Sequence, residues 1–301
     1  MVAWNSKPKG GADKIASYLT NYAEGYTAKY GAPYTVNSSY KFDIIHNHTF
    51  IRRVVDYALK KGKPLVSTVH SPPFSLKYYP DQGYALRNSI KVVVINKWLR
   101  KFVIDVYGID DDKVVVINNG SPMDIIPSID VKPRDYYVVG YHGRITEDKG
   151  VDKLIEAIKF LREECGFNVV LRLLGWPNMK IPRLKYTIHD RPTLDDRKVA
   201  HWIDNIDLEV IPTKNDQQPL TAIEALLRGR HVIISKLETL EEFDGLVEWI
   251  EPDIEPKKLG LEIYRALKTF KSYDEKLQRE ASKRFGLWRF IRDYKELYDG
   301  L

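Results

Sequence analysis

Cysteine is almost absent from this chain: Cys165 is the only one among 301 residues. No internal disulfide can form, which excludes the disulfide-stapled secreted scaffolds and fits a reducing compartment. Long apolar runs are missing too, and none reaches the ~20 residues that a membrane-spanning helix needs. The opening MVAWNSKPK lacks the apolar core of a signal peptide. Together these absences lead to the expectation of a cytoplasmic protein. Charge, by contrast, is plentiful: 47 Lys and Arg stand against 41 Asp and Glu, a net +6. That modest excess permits an acidic partner, whether a phosphate donor, an anionic membrane surface or nucleic acid, without choosing among them. Hydrophobic residues at 44% and charged residues at 29% exclude extended disorder and collagen-like repeats. At ~100–200 residues per domain, the length suggests two domains, each able to bury a core.

Short β-branched runs alternate with helical patterns, the signature of an α/β class with parallel sheets. In the first half, strands are expected at 42–46 (FDIIH), 64–69 (PLVSTV), 92–95 (VVVI) and 114–117 (VVVI). Apolar residues fill consecutive positions there, as in strands covered on both faces. Helices are expected over 13–23, 50–61 and 97–107, the last two stopped by Gly62 and Gly108. The second half repeats the rhythm, with strands at 136–141, 169–174, 208–212 and 231–235. Its helices fall at 152–165, 220–228 and 256–269, followed by a last helix from 287. Turn signals crowd residues 118–129 (NNGSPMDIIPSI), the expected boundary between two tandem units.

Four places carry candidate chemistry. Gly143-Arg144 through Lys149-Gly150 follows a strand, and a glycine-bracketed loop with two cations suits a pyrophosphate. The helix after it can add backbone donors; an ordinary solvated loop reads the same way. Between two later strands, Asp216 precedes a helix that opens at Leu220-Thr221, with Glu224 about one turn in. Both carboxylates can line one crevice, although Glu224 taken alone reads as a surface helix residue. His70 ends a strand and is stiffened by two prolines. Gly10-Gly11 lets backbone approach a phosphate or sugar closely, or simply makes a turn. His46 and His48 share a strand face, but no third ligand at metal-site spacing follows them.

In this order and spacing the set resembles glycosyltransferase family 4, the retaining GT-B enzymes that use nucleotide sugars. Gly10-Gly11 resembles the glycine pair of the family's first loop. FDIIHNH at 42–48 resembles its D-hydrophobic-hydrophobic-H-x-H strand, and Val69-His70 its T-x-H strand end. Residues 113–120 (KVVVINNG) resemble its K-V-x-V-I-x-N-G run. Gly143 to Gly150 resembles its G-R-x(4)-K-G loop, and Asp216 to Glu224 falls on its E-x(7)-E motif. Two departures stand out: Asp216 replaces the first Glu, and Gln218-Pro219 replaces Phe-Gly.

The resemblance implies two Rossmann-like domains with parallel sheets facing an interdomain cleft. Residues 1–128 would form the acceptor-side domain and 129–284 the nucleotide-sugar-binding domain, with 285–301 a helix crossing back to the first. It implies transfer of a hexose from a UDP-, GDP- or ADP-sugar to a hydroxyl acceptor (a saccharide, a lipid or a protein glycan), with no cofactor or metal required. Arg144 and Lys149 would neutralise the leaving diphosphate. Asp216 would contact the hexose and His70 the sugar or acceptor. Gly10, Gly11, Gly143, Leu220, Thr221 and Glu224 would complete the donor site, with Glu224 on the ribose. Peripheral membrane contact fits the basic-aromatic KWLRK at 97–101, and specific nucleic-acid binding is not expected. A silent nucleotide-sugar-binding protein and a nucleotide-sugar epimerase are the alternatives. Hydride transfer is disfavoured, since no Gly-x-Gly-x-x-Gly follows a strand.

Overall fold

The first unit comprises Met1–Gly120 together with Trp288–Leu301. A computed structural model of the chain describes residues 2–3, 11–23, 29–30, 43–48, 50, 52–73 and 75–301, with backbone alone at 2–3 and 29–30. Strands β1 (Val2–Ala3) and β2 (Lys29–Tyr30) pair in parallel as a separate ribbon, with α1 (Gly11–Tyr22) between them in sequence. The main sheet of this unit is parallel, in the order β3 (Ile45–Asn47), β4 (Leu65–Val69), β5 (Lys91–Val94) and β6 (Val114–Val116). Every residue of β4 is buried, which explains why its sequence is a run rather than an alternation. Helices α2 (Arg52–Lys60), α3 (Tyr79–Arg87) and α4 (Lys97–Tyr107) connect these strands. Helix α4 is defined at both ends. The Asn96 side chain accepts the Leu99 N–H at 2.7 Å, and Gly108 closes the helix with φ +64°.

The second unit spans Ser121–Leu287. Its strands are β7 (Tyr137–His142), β8 (Val169–Leu174), β9 (Thr187–Asp190), β10 (Leu208–Ile211), β11 (His231–Ser235) and β12 (Glu248–Ile250). They form one parallel sheet in the order β12-β11-β10-β7-β8-β9. Helices α5 (Val151–Glu163) and α8 (Pro256–Thr269) bury Leu154, Ile158 and Ile263 against one face. Helices α6 (Asp196–Asp204), α7 (Leu220–Leu227) and α9 (Glu275–Phe285) bury Ile203, Ile223 and Phe285 on the other. From β7 the chain builds outward through β8 and β9, then returns to place β10 on the opposite side. The β7–β10 junction is therefore the topological switch point, outside whose carboxyl ends open α/β sheets hold ligands.

The division after Gly120 falls earlier than the boundary expected at 128/129, and Arg228 gives the reason. Its guanidinium pairs with Asp204 through Nε and Nη2 at 2.9 and 2.6 Å. It also donates to Met123 O, Ile126 O and Ser128 Oγ, so 121–128 is tied to the second unit. The final helix, α10 (Leu287–Asp299), groups with the first unit from Trp288 onward. There Arg289 donates to Asn118 O and Asn119 O, each at 2.9 Å. Among the described residues no helix is long and apolar enough to cross a membrane.

Candidate functional site

At the carboxyl end of β7 the chain must turn sharply, and glycine makes this possible. Gly143 has φ +134°, and a Cβ there would come within 3.4 Å of Thr221 Cγ2 at the start of α7. The loop 143–150 and the first turn of α7 are therefore neighbours. At the loop's far end Gly150, φ +67°, packs so closely on Pro212 that a Cβ would lie 2.1 Å from its carbonyl oxygen. The loop is further pinned by Lys214 N–H to Asp148 O at 2.9 Å and Ile145 N–H to Trp176 O at 3.2 Å.

Two candidate side chains meet on this ledge, and a third rises from its loop. Lys149 Nζ donates to Asp216 Oδ2 and to Asn215 O, both at 2.7 Å, and lies 3.5 Å from Thr213 Oγ1. Asp216 Oδ1 accepts the Gln217 N–H at 2.9 Å, so both of its oxygens have partners. Arg144 is exposed, and among the described residues its guanidinium forms no ion pair. Helix α7 begins at Leu220 after Pro219, and the first N–H groups of any helix lack intrahelical acceptors. A loop with two cations that meets such a helix start suits a diphosphate.

Glu224 is not on the surface. It is 3% exposed, and His142 holds it. The His142 ring donates Nε2–H to Glu224 Oε2 at 2.9 Å and Nδ1–H to Glu209 Oε1 at 3.0 Å. Burial pulls the imidazole pKa down, but the charge and hydrogen bond of Glu209, then those of Glu224, outweigh it and raise it to about 9. At neutral pH His142 is an imidazolium between two carboxylates, at the switch point itself.

In the first unit, His70 follows β4 and does not stand alone. His48 Nδ1 lies 3.0 Å from His70 Nε2, and the two rings stack with centroids 5.3 Å apart. His48 Nε2 is buried and has no hydrogen-bond partner among the described residues. An orphaned buried N–H is rarer and costlier than an unused lone pair. His48 therefore carries its proton on Nδ1 and donates it to His70 Nε2, which leaves the His70 proton on Nδ1. His46, beside them, contacts Tyr298 Oη at 2.6 Å and Thr68 Oγ1 at 2.7 Å. Burial lowers the pKa of His46 to about 3 and of His70 to about 4, and holds His48 well below 6.5, so all three are neutral at pH 7.

The sequence-derived candidates thus fall into two places. Gly143, Arg144, Lys149, Asp216, Leu220, Thr221 and Glu224 gather in the second unit. His70 and Gly11, the exposed first residue of α1, belong to the first, and Gly10 lies outside the described residues. The reading of Glu224 as a surface residue is corrected, because α7 turns it inward to His142. His142 and Glu209 were not anticipated. The signal for them was present: an ionisable residue in each of two otherwise apolar neighbouring strands, which burial tolerates only in partnership.

Residues 32–124 match the family model Glycosyltransferase Family 4, and residues 136–268 match Glycosyl transferases group 1. The chain belongs to the family-4 glycosyltransferases of GT-B fold. This family-4 chain is 24% identical over 245 residues to an uncharacterized glycosyltransferase of Methanocaldococcus jannaschii, covering 71% of the chain and 61% of the relative. It is 22% identical over 240 residues to the MMP alpha-(1->4)-mannosyltransferase of Mycolicibacterium hassiacum, covering 68% and 56%. The family-4 chain therefore spans less than two thirds of the length of these curated relatives. A glycosyltransferase structure from Rickettsia africae superposes with a TM-score of 0.71 at 17% identity, over 98% of this chain and 83% of that one, which establishes the fold.

Proposed function

We propose that the chain transfers a hexose from a nucleotide-diphosphate sugar to a hydroxyl acceptor, with retention at the anomeric carbon and without a required divalent metal. The observation that carries this reading is the ledge at the β7–β10 switch point. There the loop that carries Arg144 and Lys149 meets the start of α7 at Gly143 and Thr221, and Glu224 is fixed a few residues further along the helix. The two cations take the diphosphate and stabilise the charge left on the departing nucleotide, the task a metal performs elsewhere. Glu224 accepts hydrogen bonds from ribose hydroxyls. Asp216 contacts the hexose, and neutral His70 offers its Nδ1–H to the sugar or acceptor. Retention follows from front-face attack, with a donor phosphate oxygen as base. The mannosyltransferase relative makes mannose one hexose to test.

A screen of UDP-, GDP- and ADP-sugars by melting temperature tests the reading, because a ligand that binds only the folded state raises it. One of the three series is expected to do so; no shift from any of them contradicts the reading. Nucleotide release with and without saccharide acceptors then separates transfer from silent binding. The Lys149–Asp216 ion pair favours the silent alternative, since it occupies a cation that the diphosphate needs.

A further inference from the structure

A buried histidine clasped by two carboxylates lies directly ahead of the Gly143-Arg144 loop, and no step of the proposed transfer uses it. His142, Glu209 and Glu224 are 4%, 0% and 3% exposed. Glu209 Oε1 accepts both the ring Nδ1–H and the backbone N–H of His142, each at 3.0 Å, so ring and main chain are registered to one oxygen. The Trp202 indole of α6 packs on the imidazole with centroids 5.7 Å apart. Its Nε1–H is fixed in turn to Asp190, the partner of Arg172. The ring is thus held at both nitrogens and packed against a tilted indole.

Glu224, by contrast, has three side-chain torsions to fix. A carboxylate that reads vicinal hydroxyls must be held to within about 0.5 Å by supporting contacts, and His142 Nε2–H supplies one at 2.9 Å. We propose that His142 is a positioning residue for donor binding: its two ring nitrogens tie the Glu224 carboxylate to Glu209 and hold Glu224 in the orientation that reads ribose hydroxyls. This rests on the donor reading above, in which Glu224 meets the ribose. The charged groups that face the ring are Glu209 from β10 and Glu224 from α7, with Asp190 and Arg172 behind Trp202. Above about pH 9 the ring loses one of its two protons, and one arm of the clasp opens.

The test compares ribose discrimination among variants. UDP, GDP and ADP are first ranked by melting shift. The best binder and its 2′,3′-dideoxy form are then titrated calorimetrically into wild type, Glu224→Ala and two double variants. Removing the imidazole alone would strand the Glu209 charge in the core, so each double variant carries Glu209→Gln. In His142→Asn/Glu209→Gln the shorter amide keeps the Nδ1 contact and loses the one to Glu224. In His142→Gln/Glu209→Gln the longer amide reaches Glu224. Wild type and His142→Gln/Glu209→Gln should prefer the ribonucleotide by about tenfold, and His142→Asn/Glu209→Gln and Glu224→Ala by less than about twofold. A wild-type preference in His142→Asn/Glu209→Gln, with the preference lost in Glu224→Ala, overturns the proposal and spares the donor reading. A preference retained in Glu224→Ala overturns both, as does the absence of binding by all three nucleotides. If the double variants do not fold, a crystal structure of wild type with the best-binding nucleoside diphosphate decides: Glu224 should accept a ribose hydroxyl while keeping its contact with His142 Nε2–H, and a Glu224 that meets the ribose only after releasing His142 overturns the proposal.

Discussion

Lys149 Nζ sits 2.7 Å from Asp216 Oδ2, and the two side chains are only 12% and 21% exposed. With Asn215 O and Thr213 Oγ1 as its other neighbours, the ammonium has no proton to spare. A diphosphate must therefore displace one of these partners. Asp216→Asn should strengthen nucleoside diphosphate binding about fivefold, because the competing carboxylate is gone, and should lower hexose transfer by about tenfold or more. Calorimetry and nucleotide release measure the two effects separately. A parallel fall in both would contradict the competition.

The two units should respond to pH in opposite directions. Burial depresses the three histidines of the first unit, with His46 near 3 and His70 near 4 against 6.5 unfolded. The unfolded chain then binds more protons, so this contribution to stability is present above pH 6.5 and is lost as pH falls toward 4 and 3. His142 in the second unit is raised to about 9, so its contribution is present below 6.5 and is lost as pH rises to about 9. Amide hydrogen exchange across this range should show β3 and β4 losing protection first in acid, and β7 and β10 first in base. The reverse order would refute the assignment of neutral and charged histidines.

His48 fixes the tautomer of His70 through the 3.0 Å contact between them. His48→Phe removes that donor while keeping an aromatic ring of similar size. Turnover should fall about tenfold, with the nucleotide dissociation constant within about twofold of wild type. Steady-state kinetics beside calorimetry check this, and a change confined to nucleotide affinity would sink it.

On the proposed reading Arg144 and Lys149 supply the counter-charge, so chelation should not matter. Nucleotide release in EDTA should match that in buffer. Activity lost in EDTA and restored by a divalent ion would contradict metal independence.

Most strands and most helices were legible because burial on both faces leaves an unbroken apolar run, as in Val92–Val94 and Val232–Ile234. Three helices gave little signal. Helix α3 contains Pro80 and Gly83, α6 is rich in charge, and only Ala281 and Phe285 of α9 are buried. The edge strands β9 and β12, with the sequences TIHD and EWI, carry no apolar alternation. In the site, glycines and cations at fixed spacing revealed the loop 143–150, while the clasp was hidden. Whether an ionisable residue such as His142 is solvated or paired depends on neighbours 67 and 82 residues away, which only the sheet order brings together.

The account depends most on the diphosphate lying against the cations of loop 143–150. The direct measurement is nucleotide release from the donor that passes the melting screen, compared between wild type and the variants Arg144→Ala and Lys149→Ala. Each variant should melt within a few degrees of wild type, as expected for changes outside the core, and lose about a hundredfold or more in turnover. Release near the wild-type rate in either variant, with the fold intact, would contradict the account.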